Sequence, residues 1–145
     1  MKIVISNDHV SVEMKKAILK HIQSRGHDCV DYGPSLSESV DYPIFAEQAA
    51  RLIASGEFDQ AILICGTGIG MMLAANKVHG VRAIVCSEPY SAKLAREHNN
   101  ANVLCFGSRV IGVELAKLIV DTWLAAEFQG GRHATRVNML ESIAP

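Results

Sequence analysis

The apolar positions of this chain gather into five short β-rich runs: KIVIS (2–6), DCVDY (28–32), QAILIC (60–65), RAIVC (82–86) and NVLCF (102–106). The last three are apolar almost without a break, the pattern of strands buried on both faces. Between the runs the period lengthens. Val10, Met14, Ile18 and Ile22 recur every fourth residue and make one stripe of an amphipathic helix, with Ser11 placed to cap it and Gly26 to end it. Further helices are predicted over 43–56, ending at Gly56, and near 71–78, 90–98 and 111–126. Strand and helix in alternation predict an α/β fold with a parallel sheet and helices on both faces, in one domain spanning 1–145. Ligands of such sheets bind at the carboxyl ends of the strands. Beyond Gly130-Gly131 a final helix is predicted over 132–143. It follows the last strand unit, so packing on a partner subunit and lying free as a solvated tail are equally open from the pattern.

Composition narrows the function classes. A formal net charge of -1 gives no global field for nucleic acid or an acidic membrane, so any phosphate chemistry must come from a few placed cations. The apolar start MKIVIS is cut short by Asp8 and His9, too early for a signal peptide or a membrane span, and the expected location is cytoplasmic. Cys29, Cys65, Cys86 and Cys105 lie far apart with no C-x-x-C pair, which predicts free thiols and no metal site; no cofactor is expected.

The chemistry concentrates where the third apolar run meets Cys65-Gly66-Thr67-Gly68-Ile69-Gly70 and a helix follows. Glycines let the backbone turn tightly and direct its N–H groups inward, and a helix N-terminus adds partial positive charge. Such a cradle suits a phosphate or an oxyanion formed during reaction. Glycines that serve packing alone are the bland alternative. A dinucleotide fingerprint would need glycine where Met71 stands; Glu88 mimics its ribose-binding acid, but the loop follows the third strand and not the first. The Gly-Lys-Ser/Thr of a P-loop is absent. Cys65 ends a strand beside a helix N-terminus, a place that favours thiolate. Alone it would read as a small buried hydrophobe, as Cys86 and Cys105 do, but the adjoining loop shifts the balance.

Asp8 and His9 follow the first strand onto the same edge, where Asp8 could orient a hydroxyl or fix a tautomer of His9, or simply turn the chain. His98 closes a helix, a position suiting a protonated general acid or an ordinary surface cap. Arg132 and Arg136, four apart on a helix, present two guanidinium groups on one face, as a phosphate clamp or a solvated basic surface. Arg109 is a further cation after the fifth strand.

Over essentially its whole length the chain resembles the ribose-5-phosphate isomerase B family, within a group that includes galactose-6-phosphate isomerase subunits. The resemblance rests on Asp8-His9, Asp41-Tyr42-Pro43, ICGTGIG (64–70), AANK (74–77), RAIVCSEPYSA (82–92), His98-Asn99, FGSRV (106–110) and GGRHATR (130–136). It implies a Rossmann-like three-layer α/β/α sandwich with a five-stranded parallel sheet and an extra C-terminal helix. It implies a homodimer, or a homotetramer of paired dimers, whose active sites are each built by two subunits, with the final helix packed on the partner. The implied activity is interconversion of D-ribose 5-phosphate and D-ribulose 5-phosphate through a cis-enediolate, a step of the pentose phosphate pathway. Cys65 would be the base, Thr67 and His98 would open the ring, and the N–H groups of Gly66, Thr67, Gly68, Ile69 and Gly70 would hold the enediolate oxygen. Asp8, His9, Tyr42 and Asn99 would line the sugar, and Arg132, Arg136, Arg109 and His9 would hold the phosphate. Ser6-Asn7 replace a frequent Gly-Cys, and Met71 stands where relatives lacking the cysteine carry a glutamate, which assigns this chain to the cysteine branch.

Three alternatives stand beside this reading. The same machinery could act on a six-carbon substrate, allose 6-phosphate or galactose 6-phosphate, whose extra carbon moves the phosphate outward by about 1.5 Å. A non-catalytic sugar-phosphate or nucleotide binding module would use the loop and arginines but leave Cys65, Thr67 and His98 without a reason. A subunit active only beside a different partner is the third.

Overall fold

The computed structural model describes residues 1–36 and 38–143. Every predicted run becomes a strand: β1 (Lys2–Asn7), β2 (Asp28–Asp31), β3 (Gln60–Cys65), β4 (Ala83–Val85) and β5 (Val103–Gly107). They alternate with α1 (Val12–Ser24), α2 (Tyr42–Ala54), α3 (Ile69–Ala75), α4 (Pro89–Asn99) and α5 (Val113–Ala125), and α6 (Arg132–Glu141) closes the chain. All pairings are parallel, in the order β2-β1-β3-β5-β4.

That order dictates the layers. Each crossover between parallel strands is right-handed, so steps in opposite directions along the sheet place their helices on opposite faces. The steps β1 to β2 and β4 to β5 run one way, and α1 and α4 share a core with α5 around Ile5, Ile62, Leu104 and Trp123. The steps β2 to β3 and β3 to β4 run the other way, and α2 and α3 cover Val4, Leu63, Cys65 and Cys105. The result is the expected three-layer sandwich. Between β1 and β3 the direction of winding reverses, and the crevice at their carboxyl ends is where such folds bind ligands.

Three local expectations are revised. The first helix begins at Val12, so Val10 lies in the preceding turn, 36% exposed, while Met14, Ile18 and Ile22 form the buried stripe. Ser11 occupies the cap position without capping; its hydroxyl meets the Ser108 hydroxyl at 2.8 Å and ties the turn after β1 to the turn after β5. The predicted helix end holds: Gly26 follows the cap residue Arg25 with φ +86°. The helix expected near 71–78 starts earlier, at Ile69, directly behind the glycine loop.

Candidate functional site

At the carboxyl edge, three turns are bolted to one another. The Asp8 N–H donates to the Ile64 carbonyl (3.0 Å), so β1 and β3 stay paired to their last residues. The Asp8 carboxylate then crosses the crevice: Oδ2 accepts from Gly66 N–H at 3.3 Å, and Oδ1 accepts from Val10 N–H at 3.1 Å. From the other side, Ser108 N–H donates to the Cys65 carbonyl (2.9 Å) and Arg109 N–H to the Gly66 carbonyl (3.1 Å). Asp8 is therefore a brace of the loop and does not set the tautomer of His9. His9 Nδ1 receives the Val40 N–H instead, at 3.5 Å.

The loop itself is built for close approach. Gly68 has φ +83°, and a Cβ there would stand 2.8 Å from the Phe106 backbone, so only glycine fits. At Gly70 the obstacle is the Tyr42 ring, which a Cβ would meet at 2.6 Å; Tyr42 thus lies directly over the start of α3. Cys65, 6% exposed, ends β3, and its Sγ accepts the Gly68 N–H at 3.1 Å, a donor directed at any negative charge on sulfur. Ile69 N–H turns to the Thr67 hydroxyl at 3.3 Å. Of the five N–H groups predicted for the cradle, Gly66, Gly68 and Ile69 are thus engaged internally, while those of Thr67 and Gly70 have no protein acceptor among the described residues. The Arg109 side chain passes about one van der Waals contact from Gly66, with Cδ 3.7 Å from the position of a Cβ there.

The remaining cysteines differ from Cys65 in surroundings. Burial, with a lesser contribution from Asp31, pushes the Cys29 thiol up to about 12. Burial likewise raises Cys86 to about 11, and it raises the fully enclosed Cys105 well above the ordinary thiol value. These three are held protonated and unreactive.

His98, Asn99, Arg132 and Arg136 do not join this group within one chain. Helix α4 begins beside the carboxyl end of β4 and runs back along the sheet for 11 residues, about 15 Å, so His98 and Asn99 emerge at the amino edge, just before β5 starts. There α6 meets them. The His98 and His133 rings stack with centroids 4.1 Å apart and planes within 7° of parallel, and Gln129 N–H donates to the Glu97 carbonyl at 3.0 Å. Arg132 and Arg136 stand exposed on α6 beside the stack. Desolvation, followed by the charges of His98, Arg132 and Arg136, holds His133 below the ordinary histidine value.

His133 is a residue that sequence reasoning quoted without giving it a role. Its signal was present: His133 and Val137 are four apart and are the two buried residues of α6. Among the described residues no helix is long and apolar enough to cross a membrane, and no group of three His, Cys, Asp or Glu side chains could hold a metal ion.

The chain is similar to known proteins over nearly its whole length. A family model described as ribose/galactose isomerase matches residues 3–140. Ribose-5-phosphate isomerase B of Escherichia coli K12 is 54% identical over 98% of this chain and 95% of its own length. D-erythrulose-4-phosphate isomerase of Pectobacterium atrosepticum is 43% identical over 97% of this chain and 93% of its own. Among solved structures, ribose-5-phosphate isomerase B of Clostridium thermocellum superposes with a TM-score of 0.96 at 52% identity, covering 99% of this chain and 97% of that one.

Proposed function

The chain belongs to the ribose/galactose isomerase family, and from that premise we propose that it is a sugar-phosphate isomerase that interconverts D-ribose 5-phosphate and D-ribulose 5-phosphate with Cys65 as base. The observation that carries the assignment of the base is the position of Cys65 at the winding reversal, under the Gly68 N–H, beside two backbone donors with no protein partner among the described residues. In the forward direction the Cys65 thiolate removes the proton from C2 of the open-chain aldose. The electrons shift to C1–O1 and give a cis-enediolate, to whose negative oxygen the Thr67 and Gly70 N–H groups donate hydrogen bonds. The same sulfur returns the proton to C1, and the O2 proton moves to O1, so the ketose forms with no net gain or loss of atoms.

Ring opening precedes proton transfer. Thr67 and His98 are the groups for it, with the His98 ring held in place by its stack on His133. Asp8, His9, Tyr42 and Asn99 line the sugar, and Arg132, Arg136, Arg109 and His9 hold the phosphate. Since the Cys65 loop and the His98–α6 cluster occupy opposite edges of one chain, this reading requires a second copy to bring them together. An exposed apolar face supports such a partner. Ile69, Leu73, Tyr42 and Ile44 are 40–63% exposed around a groove of about 470 Å³ between α2 and α3, immediately beside the loop.

Proton NMR of the protein with ribose 5-phosphate in D2O and excess EDTA tests the reaction. Ribulose 5-phosphate should appear with deuterium entering at C1 of the ketose and, through the reverse reaction, at C2 of the aldose; absence of both conversion and exchange would overturn the substrate assignment, and six-carbon phosphates would then be tried. Mixing inactive Cys65→Ala and His98→Asn chains tests the shared site. Random exchange gives half mixed dimers, each with one intact site, so about a quarter of the wild-type activity should return. No recovery after exchange would place both groups in one chain's site.

A further inference from the structure

We propose that Arg82, acting through Glu141, is a positioning residue that sets the height of the Arg132–Arg136 pair and so the length of sugar phosphate that the site accepts. This rests on reading those two arginines as the phosphate ligands. Helix α6 has no broad apolar face. Its buried residues are His133 and Val137, and the next position on that stripe, four further on, is Glu141. Met139 and Leu140 are 64% and 50% exposed. Within its own chain the helix therefore rests on the body along a single line. The first turn is held by the His133–His98 stack, the middle by Val137, and the last turn by the Arg82 guanidinium, whose Nη1 donates to Glu141 Oε1 at 2.6 Å.

Arg82 is itself rigidly placed. Its N–H donates to Asn102 Oδ1 at 2.8 Å and its Nε to the Asn100 carbonyl at 2.9 Å, so it is fixed to the turn that joins α4 to β5. The ion pair is partly shielded, with side chains 21% and 32% exposed, which makes it stronger than a surface pair. Arg132 and Arg136 precede His133 and Val137 by one residue each, so both lie about 100° round the helix from the contact line and move with it as a unit. If the last turn is released, the helix pivots on the histidine stack. Arg136 lies about 4.5 Å from the pivot at His133 along the axis, so a swing of roughly 20° displaces it by about 1.5 Å. One carbon of sugar chain is also about 1.5 Å. The tie at Glu141 is thus placed to decide which chain length puts C1 and C2 at Cys65 while the phosphate sits between the arginines.

The test is steady-state kinetics of Glu141→Gln and Arg82→Met, singly and together, on ribose 5-phosphate and on a six-carbon aldose 6-phosphate. Expected are a rise of about tenfold in KM for ribose 5-phosphate with kcat within about twofold, and a comparable fall in the preference for five carbons over six. The double variant should be no worse than the poorer single, and Glu141→Gln should add nothing in an Arg136→Ala background. Unchanged KM and preference, additive losses, or losses that persist without Arg136 would overturn the proposal. Glu141→Gln alters only a partly exposed helix end and keeps the test open if Arg82→Met does not fold. Wild-type protein is measured first: no turnover of either sugar removes the reading beneath the proposal and the proposal with it, whereas wild-type turnover with indifferent variants removes the proposal alone.

Discussion

The Cys65 loop and the His98–α6 cluster are held by opposite means. The loop lies in the crevice between β1 and β3, with backbone ties to Asp8, Ser108 and Arg109, and two of its glycines admit no Cβ. The cluster hangs outside the sheet; α6 touches the body along one stripe and leaves its arginines in solvent. Proton transfer between neighbouring carbons tolerates little displacement, and its base belongs where the frame is tight. A phosphate is large, charged and remote from the reacting carbons, and long flexible arginines on a lightly anchored helix can follow it. On the proposed reading, the two regions divide fixed proton transfer from adjustable phosphate binding.

Substitutions can break or sharpen that division. Cys65→Ala should have the largest effect, a loss of about 10³-fold or more in turnover with retained binding of a phosphorylated sugar by calorimetry. Residual turnover near wild type would remove Cys65 from the reaction. His98→Asn should lower turnover of cyclic sugars by about 10²-fold and of an open-chain analogue far less; equal losses on both would separate His98 from ring opening. Arg136→Ala should raise KM by about 10- to 100-fold and leave kcat nearly intact, as loss of uniform binding does.

Stability should follow the same line. Gly68→Ala, strained by its φ and blocked by the Phe106 backbone, should cost about 2–4 kcal/mol in denaturant melts. Gly130→Ala, with φ +67° but nothing within 4 Å, should cost about 1 kcal/mol. The smallest effect is expected from His133→Gln, read as a change in the pH dependence of Tm. His133 has a lowered value in the folded chain, so the unfolded chain binds its proton more readily. Its contribution is fully present above the ordinary value of 6.5 and fades as pH falls through the lowered one. The variant should be less sensitive to acid across that window, and an identical acid profile would contradict the shift.

The alternation of runs was enough to place every strand within a residue or two, because strands buried on both faces carry unbroken apolar sequence and their neighbours do not. Strand order was not legible. Nothing local to β4 or β5 says that β5 inserts between β3 and β4, since that depends on which faces the helices cover. The same limit explains Ser11: its type and position read as a cap, but its partner is Ser108, brought there by the sheet. At the site, the glycine loop and Cys65 were visible because unusual backbone demands glycine at fixed spacing. The brace from Asp8 to Gly66, the ring of Tyr42 over Gly70 and the stack of His133 on His98 were not, because each joins residues from separate elements. Neither could the sequence tell that Cys65 and His98 face opposite ways, which follows from the return run of α4 alone.

That return run has a consequence for how the protein would behave in a cell. If both edges are needed for one reaction, each molecule carries a complete set of parts and yet is inert when solitary. Activity would then scale with encounter as well as with amount, switching off on dilution below the dimer dissociation constant even though every chain remains folded. It would also make a defective copy costly to its neighbours, since a chain damaged on one edge disables a site whose other half is sound.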